Sequence, residues 1–405
     1  MKTKIILILL CILCSTAGFA QQYGWVNIGG NLPSSNGTAS LSDLYFISDT
    51  EGWLCSSALG EIYHTTNGGS TFTTQTTQYY TNAIHMLNSS EGYAGGLNGR
   101  VYRTTDGGST WVYLSSIGSS LLSISFPPSS TTGYCSGYTG KIYRITATGV
   151  SAMSSGITTN LASISFPSSG LGWTCGGGII LHYDGSSWYE EDSPVGSSYN
   201  GIYMVNNKIG WAVGASGLIV NSSDGGSTWA KQTSPTSYAL NDVFFLNVSE
   251  GWAVGNSGVI LHTTNGGKIW TIEGAGLTTN MLRSVQFTSS TNGYLLGNNK
   301  TLLKYTLTTG TKENGQILAS FNMEQNYPNP FNSETKISYS LAIPAQVQLT
   351  VCNMFGQQVA LLDEGYKPAG SFNADFTGEG LPSGIYYYRL QCGDRHETRK
   401  MTLIK

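Results

Sequence analysis

Histidines are the residues of this chain best suited to bind a metal ion. His64, His182 and His262 occupy matching places, each just before a glycine-rich turn, in separate copies of a repeated unit. The ligands of a tetrahedral site must converge within about 2 Å of one ion, and residues on separate units are too dispersed for that. His85 lies elsewhere in its unit, and His396 belongs to the C-terminal segment. The spacing therefore predicts no metal site, and we expect no cofactor.

Arginines are the second set of residues that could bind a substrate, because a guanidinium group holds a carboxylate through two parallel hydrogen bonds. The repeated region contains four of them, Arg100, Arg103, Arg144 and Arg283. Arg103 and Arg144 stand at the position before the turn that His64 and His262 fill elsewhere, so we expect them to be solvated repeat residues. Too few remain for a converging cluster, and we predict that the chain is not an enzyme.

The elements that carry these side chains form a repeat. A Gly-aromatic pair recurs at intervals of 40, 41, 39, 38, 41 and 42 residues, at Gly52-Trp53, Gly92-Tyr93, Gly133-Tyr134, Gly172-Trp173, Gly210-Trp211, Gly251-Trp252 and Gly293-Tyr294. A glycine-rich turn follows most pairs, as in Thr104-Thr105-Asp106-Gly107-Gly108-Ser109-Thr110-Trp111. Apolar residues alternate between the turns, which indicates successive hairpins.

Four short strands in about 40 residues are typical of one blade of a β-propeller. We predict an all-β protein with a seven-bladed propeller over residues 21–310. The seventh unit lacks a final Trp strand, and the chain begins with an unpaired one around Trp25. Placing that strand in the seventh blade closes the ring and removes the open edges.

The turns resemble Asp-boxes, the repeat of bacterial neuraminidases, and their surroundings resemble propellers of the photosystem II assembly-factor type over residues 22–310. We interpret the Asp or Asn of each turn as structural, with its side chain bonded to the backbone two residues ahead. These residues are Asn67, Asp106, Asp184, Asp224 and Asn265. The neuraminidase resemblance leaves a sialidase-like glycoside hydrolase as an alternative, and the photosystem resemblance leaves an assembly factor for an envelope complex.

A binding surface is expected at the mouth of the central channel, on the loops that precede the innermost strands. Polar and aromatic residues on loops of a rigid scaffold are typical contact residues. The candidates are Asp43, Asn82, Asn200, Asn241, Asp242, Arg283, Tyr80, Tyr199 and Tyr238. The alternative is that the polar groups only solvate the channel mouth. The ligand is expected to be a protein or a glycan.

The first twenty residues have the layout of a secretory signal peptide. Lys2 and Lys4 precede an apolar run, and small residues lead to a cleavage position after Ala20. No other stretch is apolar enough to cross a membrane, so we do not expect an integral membrane protein. The net charge of −3 gives no basic footprint for nucleic acid.

The C-terminal segment reads as a separate module. Residues 311–320 form a polar linker, and alternating strands between 321 and 405 predict a small antiparallel, Ig-like sandwich. The segment 326–332 (Asn-Tyr-Pro-Asn-Pro-Phe-Asn) and the terminal residues 400–405 resemble the type A C-terminal sorting domain of the Bacteroidetes type IX secretion system. The resemblance implies recognition by the type IX translocon, removal by a surface sorting peptidase, and release or attachment at the outer surface of the outer membrane. Cys352 departs from the family pattern, which usually has Tyr there, and it could pair with Cys392.

These expectations combine into one prediction. The chain is an exported binding protein, secreted or held at the cell surface, with a propeller scaffold and a cleavable sorting signal.

Overall fold

The structure is a computed structural model of the whole chain. It describes residues 23–405 apart from 34–39, 57–59, 194–196, 308–320, 342–344, 368–369 and 393–394. The chain divides into two compact units, residues 1–310 and 311–405. The predicted leader (1–20) and linker (311–320) lie outside the described residues.

The described residues of the first unit form seven four-stranded antiparallel sheets, so the seven-bladed all-β prediction is confirmed. The first strand that the structure describes is β1 (Tyr23–Asn27). Blades 1 to 3 contain β2 (Leu41–Phe46), β3 (Gly52–Ser56), β4 (Glu61–Thr65) and β5 (Thr73–Thr76); β6 (Thr81–Met86), β7 (Gly92–Gly96), β8 (Arg100–Thr104) and β9 (Val112–Ser116); and β10 (Leu121–Ser125), β11 (Gly133–Gly137), β12 (Ile142–Thr146) and β13 (Gly149–Met153).

Blades 4 to 7 continue the same order from the innermost strand outward. Their strands are β14 (Ser163–Ser168), β15 (Leu171–Gly176), β16 (Ile179–Tyr183) and β17 (Trp188–Glu190); β18 (Tyr199–Met204), β19 (Gly210–Gly214), β20 (Ile219–Ser222) and β21 (Ala230–Lys231); β22 (Leu240–Phe245), β23 (Gly251–Gly255), β24 (Ile260–Thr263) and β25 (Thr271–Glu273); and β26 (Leu282–Ser289), β27 (Asn292–Gly297) and β28 (Leu302–Leu307). Short 3-10 turns lie at Gly29–Asn31, Leu97–Gly99, Tyr138–Gly140, Ala215–Gly217 and Asn256–Gly258.

The two ends of the propeller meet in blade 7. Strand β1 pairs antiparallel with β28, with Trp25 opposite Tyr305, and supplies the outermost strand of that sheet. The innermost strands contact one another in sequence, and β26 contacts β2. The ring is therefore continuous, and an N-terminal strand covers what would otherwise be the free edge of β28.

The Gly-aromatic pairs explain how the blades pack. The second strand of each blade is covered on both faces by neighbouring blades, so its residues are buried in succession and do not alternate between buried and exposed. Trp252 stacks on Phe287 of the next blade with ring centroids 3.5 Å apart, and Trp211 stacks on Phe245 at 3.4 Å. Within a blade, the ring of Phe46 lies against Gly52, where a Cβ atom would collide with it. The glycine therefore makes room for the aromatic layer.

The second unit is a sandwich around one hydrophobic core. A three-stranded sheet has the order β29 (Phe321–Met323), β30 (Glu334–Leu341) and β33 (Gly370–Thr377). A four-stranded sheet has the order β32 (Gln358–Lys367), β31 (Ala345–Asn353), β34 (Gly384–Cys392) and β35 (Arg395–Leu403). Residues Leu349, Tyr388 and Met401 of this sheet are fully buried, as the alternation of apolar residues predicts.

The pairing of Cys352 with Cys392 that the sequence left open does not occur. Neither cysteine forms a disulfide. The two residues lie on neighbouring strands, but Cys392 is opposite Val347 and Cys352 is opposite Tyr387. Five residues along a strand correspond to about 17 Å, whereas a disulfide needs Cα atoms within about 7 Å. The strand register therefore keeps them apart.

Among the described residues, no helix has the length and apolar character needed to cross a membrane.

Candidate functional site

The candidate site lies at the end of the propeller where the innermost strands begin, which we call the top face. Loops from the preceding blade and the connections between second and third strands meet there. The N–H of Leu97 donates to the carbonyl of Tyr80, and the N–H of Tyr138 donates to that of Ser120. The same bond recurs in later blades. The glycine-rich turns lie at the opposite end, the bottom face.

Asp43 links three blades near the channel. Its Oδ1 accepts from the N–H of Leu44 (2.9 Å) and from the hydroxyl of Ser284 (3.0 Å), and its Oδ2 accepts from the N–H of Ile84 (3.0 Å). Leu44, Ile84 and Ser284 belong to blades 1, 2 and 7 respectively. The carboxylate therefore lies at the joint between the first and last blades.

Asp242 repeats this geometry on blade 6. Its Oδ1 accepts from the N–H of Val243 and its Oδ2 from the N–H of Val285 on blade 7, both at 2.9 Å. Burial raises the pKa of Asp43 to about 6 and that of Asp242 to about 7. The backbone N–H donors oppose this rise, whereas the negative charge of Asp43 adds to it at Asp242. Both carboxyl groups therefore ionise closer to neutral pH than an ordinary aspartate does.

The three candidate asparagines form a second set of ties between blades. The side-chain amides of Asn82, Asn200 and Asn241 donate to backbone carbonyls of the next blade at 2.9, 2.8 and 2.7 Å. The acceptors are the first residues of the next innermost strands, Leu121, Leu240 and Leu282. Each amide thus has a partner within the ring, which is the kind of role that sequence spacing alone does not reveal.

Arg283 occupies the same strand position on blade 7. Its Nε donates to Oδ1 of Asn298 at 2.8 Å, and its side chain is exposed on the top face. Arg100 of blade 2 lies elsewhere, with its guanidinium 3.8 Å from the centroid of the Tyr79 ring. Arg103 pairs with Glu91 at 2.8 Å, next to the glycine-rich turn at the bottom face. These arginines do not converge on one point.

The three candidate tyrosines separate into two environments. Tyr80 and Tyr238 are 41% and 53% exposed on loops of the top face. Tyr199 is only 1% exposed, because its ring packs in the core between blades 4 and 5 with Trp173 and Ile180. Tyr199 therefore does not present a contact surface, and the sequence-based assignment for this residue is corrected.

Sequence reasoning missed three further apolar residues on this face. Leu97 and Tyr138 are exposed at the start of the 3-10 turns of blades 2 and 3, and Leu277 is exposed on the loop before β26. The sequence contains a signal for Leu97 and Tyr138, since each of them directly follows the glycine that ends a second strand and therefore begins a turn. We define the top-face patch as Tyr80, Leu97, Tyr138, Tyr238 and Leu277.

The glycine-rich turns have a structural geometry that differs from the expected one. In Thr104–Trp111, Oδ1 of Asp106 accepts from the N–H of Thr110, four residues ahead rather than two, at 2.9 Å. Asn67, Asp224 and Asn265 do the same. Gly107 and Gly108 both adopt positive φ, so the chain curls around the side chain before meeting it. In the shortened copy, Oδ1 of Asp184 accepts from the N–H of Ser186, two residues ahead as expected, and from the N–H of Ser187.

In blades 1, 2, 4 and 6 the residue before the turn is a histidine or an arginine whose side chain contacts a glutamate. His64 contacts Glu51 at 3.3 Å, and His182 contacts Glu191 at 3.0 Å. Each histidine also stacks on the Trp of its blade, as in the 4.3 Å separation of Trp53 and His64. Burial lowers the pKa of both histidines, while Glu51 opposes the shift at His64. Among the residues described, no cluster of three or more His, Cys, Asp or Glu side chains could hold a metal ion.

Two family models match the sequence. The photosynthesis system II assembly factor YCF48 matches residues 182–274 and 235–306, and a secretion system C-terminal sorting domain matches residues 325–405. No curated protein gives a significant match.

Several solved structures share the propeller fold. YCF48 bound to D1 peptide is 22% identical, covers 70% of this chain and 96% of its own, and has a TM-score of 0.59. YCF48 from Cyanidioschyzon merolae is 19% identical, covers 70% and 98%, and has a TM-score of 0.58. A catalytically inactive virginiamycin B lyase from Staphylococcus aureus is 14% identical, covers 71% and 100%, and has a TM-score of 0.61. The chain therefore combines a β-propeller that resembles the YCF48 type with a secretion system C-terminal sorting domain.

Proposed function

We propose that this protein is an exported, non-enzymatic binding protein that contacts a polypeptide partner through the top-face patch. The observation that carries this proposal is the contrast between exposed and occupied residues. Tyr80, Tyr138 and Tyr238 are exposed on loops of a rigid ring. Asp43 and Asp242, in contrast, accept hydrogen bonds from backbone N–H groups inside the ring. Exposed tyrosines supply large contact areas at low cost in conformational entropy.

The comparison with YCF48 supports a polypeptide as the partner. A propeller of that type has been solved with a bound peptide. The top face also carries Arg283, and Glu61, Arg100 and Lys141 lie at matching positions of blades 1 to 3, so a partner would meet charges of both signs there. The role of an assembly factor for an envelope complex is one form of this binding function.

The sorting domain supports a location outside the cell. Residues 325–405 match a module that directs secretion. We propose that the leader at 1–20 carries the chain across the inner membrane and that the type IX translocon and a surface sorting peptidase then act on the C-terminal unit. The propeller would be released or attached to the outer surface of the outer membrane.

Glycoside hydrolysis is the weaker alternative. Recognition of a carboxylated sugar by a sialidase-like site would need several guanidinium groups at one point. Arg100, Arg103 and Arg283 have partners in different places, as described above. This arrangement favours binding over hydrolysis.

Crosslinking on intact cells tests the binding function. The full chain and a variant carrying Tyr80→Ser, Tyr138→Ser and Tyr238→Ser would be exported, crosslinked and analysed by mass spectrometry. We expect one stoichiometric protein partner with the wild type and its loss with the triple variant.

The matched control carries Val112→Ser and Ile269→Ser. Both residues are 63% exposed, but they lie at the glycine-rich turns of the bottom face. The control should keep the partner. A triple variant that binds as well as the wild type would contradict the top-face assignment.

A further inference from the structure

A cavity of about 400 Å³ opens on the bottom face, beside the innermost strands of blades 1 to 3. Tyr45 of β2 and His85 of β6 form one side of its wall. Phe126, Pro127 and Pro128 of blade 3 form another. The volume is within the range of small-molecule sites, which are mostly apolar and contain a few polar groups.

The cavity exists because blade 3 does not close its first hairpin as other blades do. In blades 1, 2, 5 and 6 the residue after the innermost strand donates its N–H to the carbonyl of the residue before the Gly-aromatic pair, as Leu87 does to Glu91 at 2.8 Å. Blade 3 has Pro127 at this place, and proline has no N–H to donate. Blade 4 also has a proline there, Pro167, but its connection is shorter and its two strands remain paired as far as the turn.

Tyr45 and His85 place unpaired polar atoms in the wall of the cavity. Their ring centroids are 4.2 Å apart, and the His85 ring lies 5.2 Å from that of Phe126. Neither the hydroxyl of Tyr45 nor a ring nitrogen of His85 has a hydrogen-bond partner among the described residues, and these atoms keep accessible surface. Polar atoms that are largely removed from water without a partner cost free energy, so a ligand that pairs with them regains it.

The repeat shows that His85 is free for such a ligand. Ser125 and Ser165 fill its place in blades 3 and 4, and each hydroxyl accepts from a backbone N–H of the next blade at 3.0 Å. Gln286 of blade 7 accepts in the same way at 2.7 Å. Tyr203 fills this place in blade 5, but it does not line the cavity. Only in blades 1 and 2 do two unpaired polar rings therefore meet at this cavity.

The wall carries no free charge. Burial lowers the pKa of His85 to about 3 and raises the pKa of Tyr45 to about 12. At neutral pH the imidazole is therefore uncharged, with one nitrogen that accepts and one that donates, and the phenol is protonated. Glu91 is the one charged side chain of the wall among the described residues, and Arg103 already donates to its Oε1 at 2.8 Å. An anionic ligand would meet no unpaired cation in this wall.

We propose that this cavity binds a small neutral phenol. A phenolic hydroxyl both donates and accepts, so it donates to a nitrogen of His85 and accepts from the hydroxyl of Tyr45. The ring of the ligand packs against the prolines and the aromatic side chains of the wall. Binding changes no covalent bond of the ligand, and the site is independent of the top-face patch.

Isothermal titration of the full chain at neutral pH tests the proposal, with phenol as the probe. Anisole keeps the ring but has no O–H, cyclohexanol keeps the hydroxyl without the aromatic ring, and benzoate carries a charge. We expect saturable binding of phenol, with each comparison at least about fivefold weaker. No saturation by phenol up to about 10 mM would overturn the site. Binding of anisole, cyclohexanol or benzoate as tight as that of phenol would overturn the phenol assignment.

Two conservative variants assign the hydrogen bonds. His85→Phe and Tyr45→Phe keep an aromatic ring but remove the polar atoms, and each should weaken phenol binding about fivefold. Neither should lower the melting temperature, because the atoms removed have no partner in the wild type. Unchanged phenol affinity in both variants would refute the proposed contacts.

The matched control is Tyr203→Phe, which removes a hydroxyl from the fifth residue of another innermost strand, as Tyr45→Phe does. It should leave phenol affinity within about twofold, since Tyr203 lies outside the wall of the cavity. Equal weakening by Tyr203→Phe and Tyr45→Phe would contradict the location of the site.

Nuclear magnetic resonance of the full chain with labelled histidine provides a direct readout. The sequence has five histidines, and the signal that is missing in His85→Phe identifies His85. Its ring nitrogen signal should shift on addition of phenol and stay in place on addition of anisole. A His85 signal that does not move at saturating phenol would overturn the hydrogen bond to this residue.

Discussion

The indole N–H of Trp25 donates to Oε2 of Glu273 at 3.0 Å, across 248 residues of sequence. The same oxygen accepts from Trp252 at 3.3 Å, and Oε1 lies 3.4 Å from Nδ1 of His262. Burial alone would raise the pKa of Glu273, but the His262 ring and the two indole donors lower it. One carboxylate therefore ties the N-terminal strand to blade 6, which makes ring closure sensitive to a single side chain.

Replacing Glu273 by alanine should destabilise the propeller. The change leaves the N–H groups of Trp25 and Trp252 without their acceptor, and we expect a loss of about 2 kcal/mol in the free energy of unfolding. Glu273→Gln should lower the free energy of unfolding less than Glu273→Ala does, because a glutamine can also accept from an indole N–H. Gln75 and Gln232 do so on other blades. Urea unfolding followed by Trp fluorescence measures the effect.

The exposed Glu190 at the end of β17 provides the control for that experiment. Glu190→Ala should change the free energy of unfolding by less than about 0.5 kcal/mol. Equal stability of Glu273→Ala and Glu190→Ala would show that the closure does not depend on this carboxylate.

The hydroxyl of Thr104 should stabilise its turn more than its small size suggests. It accepts from the N–H of Gly108 at 2.7 Å and donates to Asp106 at 2.9 Å, in a buried position. Thr104→Val keeps the shape but leaves a buried N–H unpaired, so we expect a loss of about 1–3 kcal/mol by urea unfolding. Thr105→Val, at the exposed neighbour, should be nearly neutral; a comparable loss there would argue against the hydrogen bond as the cause.

Stability should fall as pH rises through the range where Asp43 and Asp242 ionise. Their folded-state pKa values of about 6 and about 7 lie above the value of 3.8 for an unperturbed carboxyl group. The folded state therefore binds more protons between about pH 4 and pH 7, and the stability that these groups contribute is complete below pH 4 and lost above pH 7.

The variant Asp242→Asn removes one of these titrations. Its free energy of unfolding, relative to that of the wild type, should rise between pH 5 and pH 8, as measured by urea unfolding at each pH. The control Asp192→Asn changes an exposed carboxylate and should give a constant difference. A constant difference for Asp242→Asn as well would contradict the role of its ionisation.

Removing residues 321–405 should block export beyond the periplasm, because the sorting module is then absent. Cell fractionation and surface proteolysis would locate the truncated chain. The full chain with Thr105→Val serves as the control and should reach the surface. Normal surface display of the truncated chain would refute the sorting role.

The sequence predicted the architecture well because its information is periodic. Seven Gly-aromatic pairs and the glycine-rich turns specify local hairpins. The strand that contains Trp25 supplies the fourth strand of the seventh blade. Burial of Trp53, Trp173, Trp211 and Trp252 follows from the same repeat, since a strand between two blades has no solvent-facing side.

The candidate site was harder to predict, because the partner of a polar side chain depends on contacts between blades. The sequence predicts Asn82 and Asn241 as binding residues at the channel mouth, whereas their amides donate to carbonyls of the next blade. It predicts Tyr199 as a contact residue, whereas the structure buries its ring. Cys352 and Cys392 lie on neighbouring strands of one sheet, but the strand register does not place them opposite each other.

The amino-acid order by itself thus determined the number of blades, the turns and the sorting module, since these depend on neighbours within about 40 residues. Only the tertiary structure decided which polar groups are used inside the ring and which remain free. Tyr199 and Asn241 illustrate the reason: only the packing of one blade on the next buries the ring of Tyr199 and gives the amide of Asn241 a carbonyl acceptor.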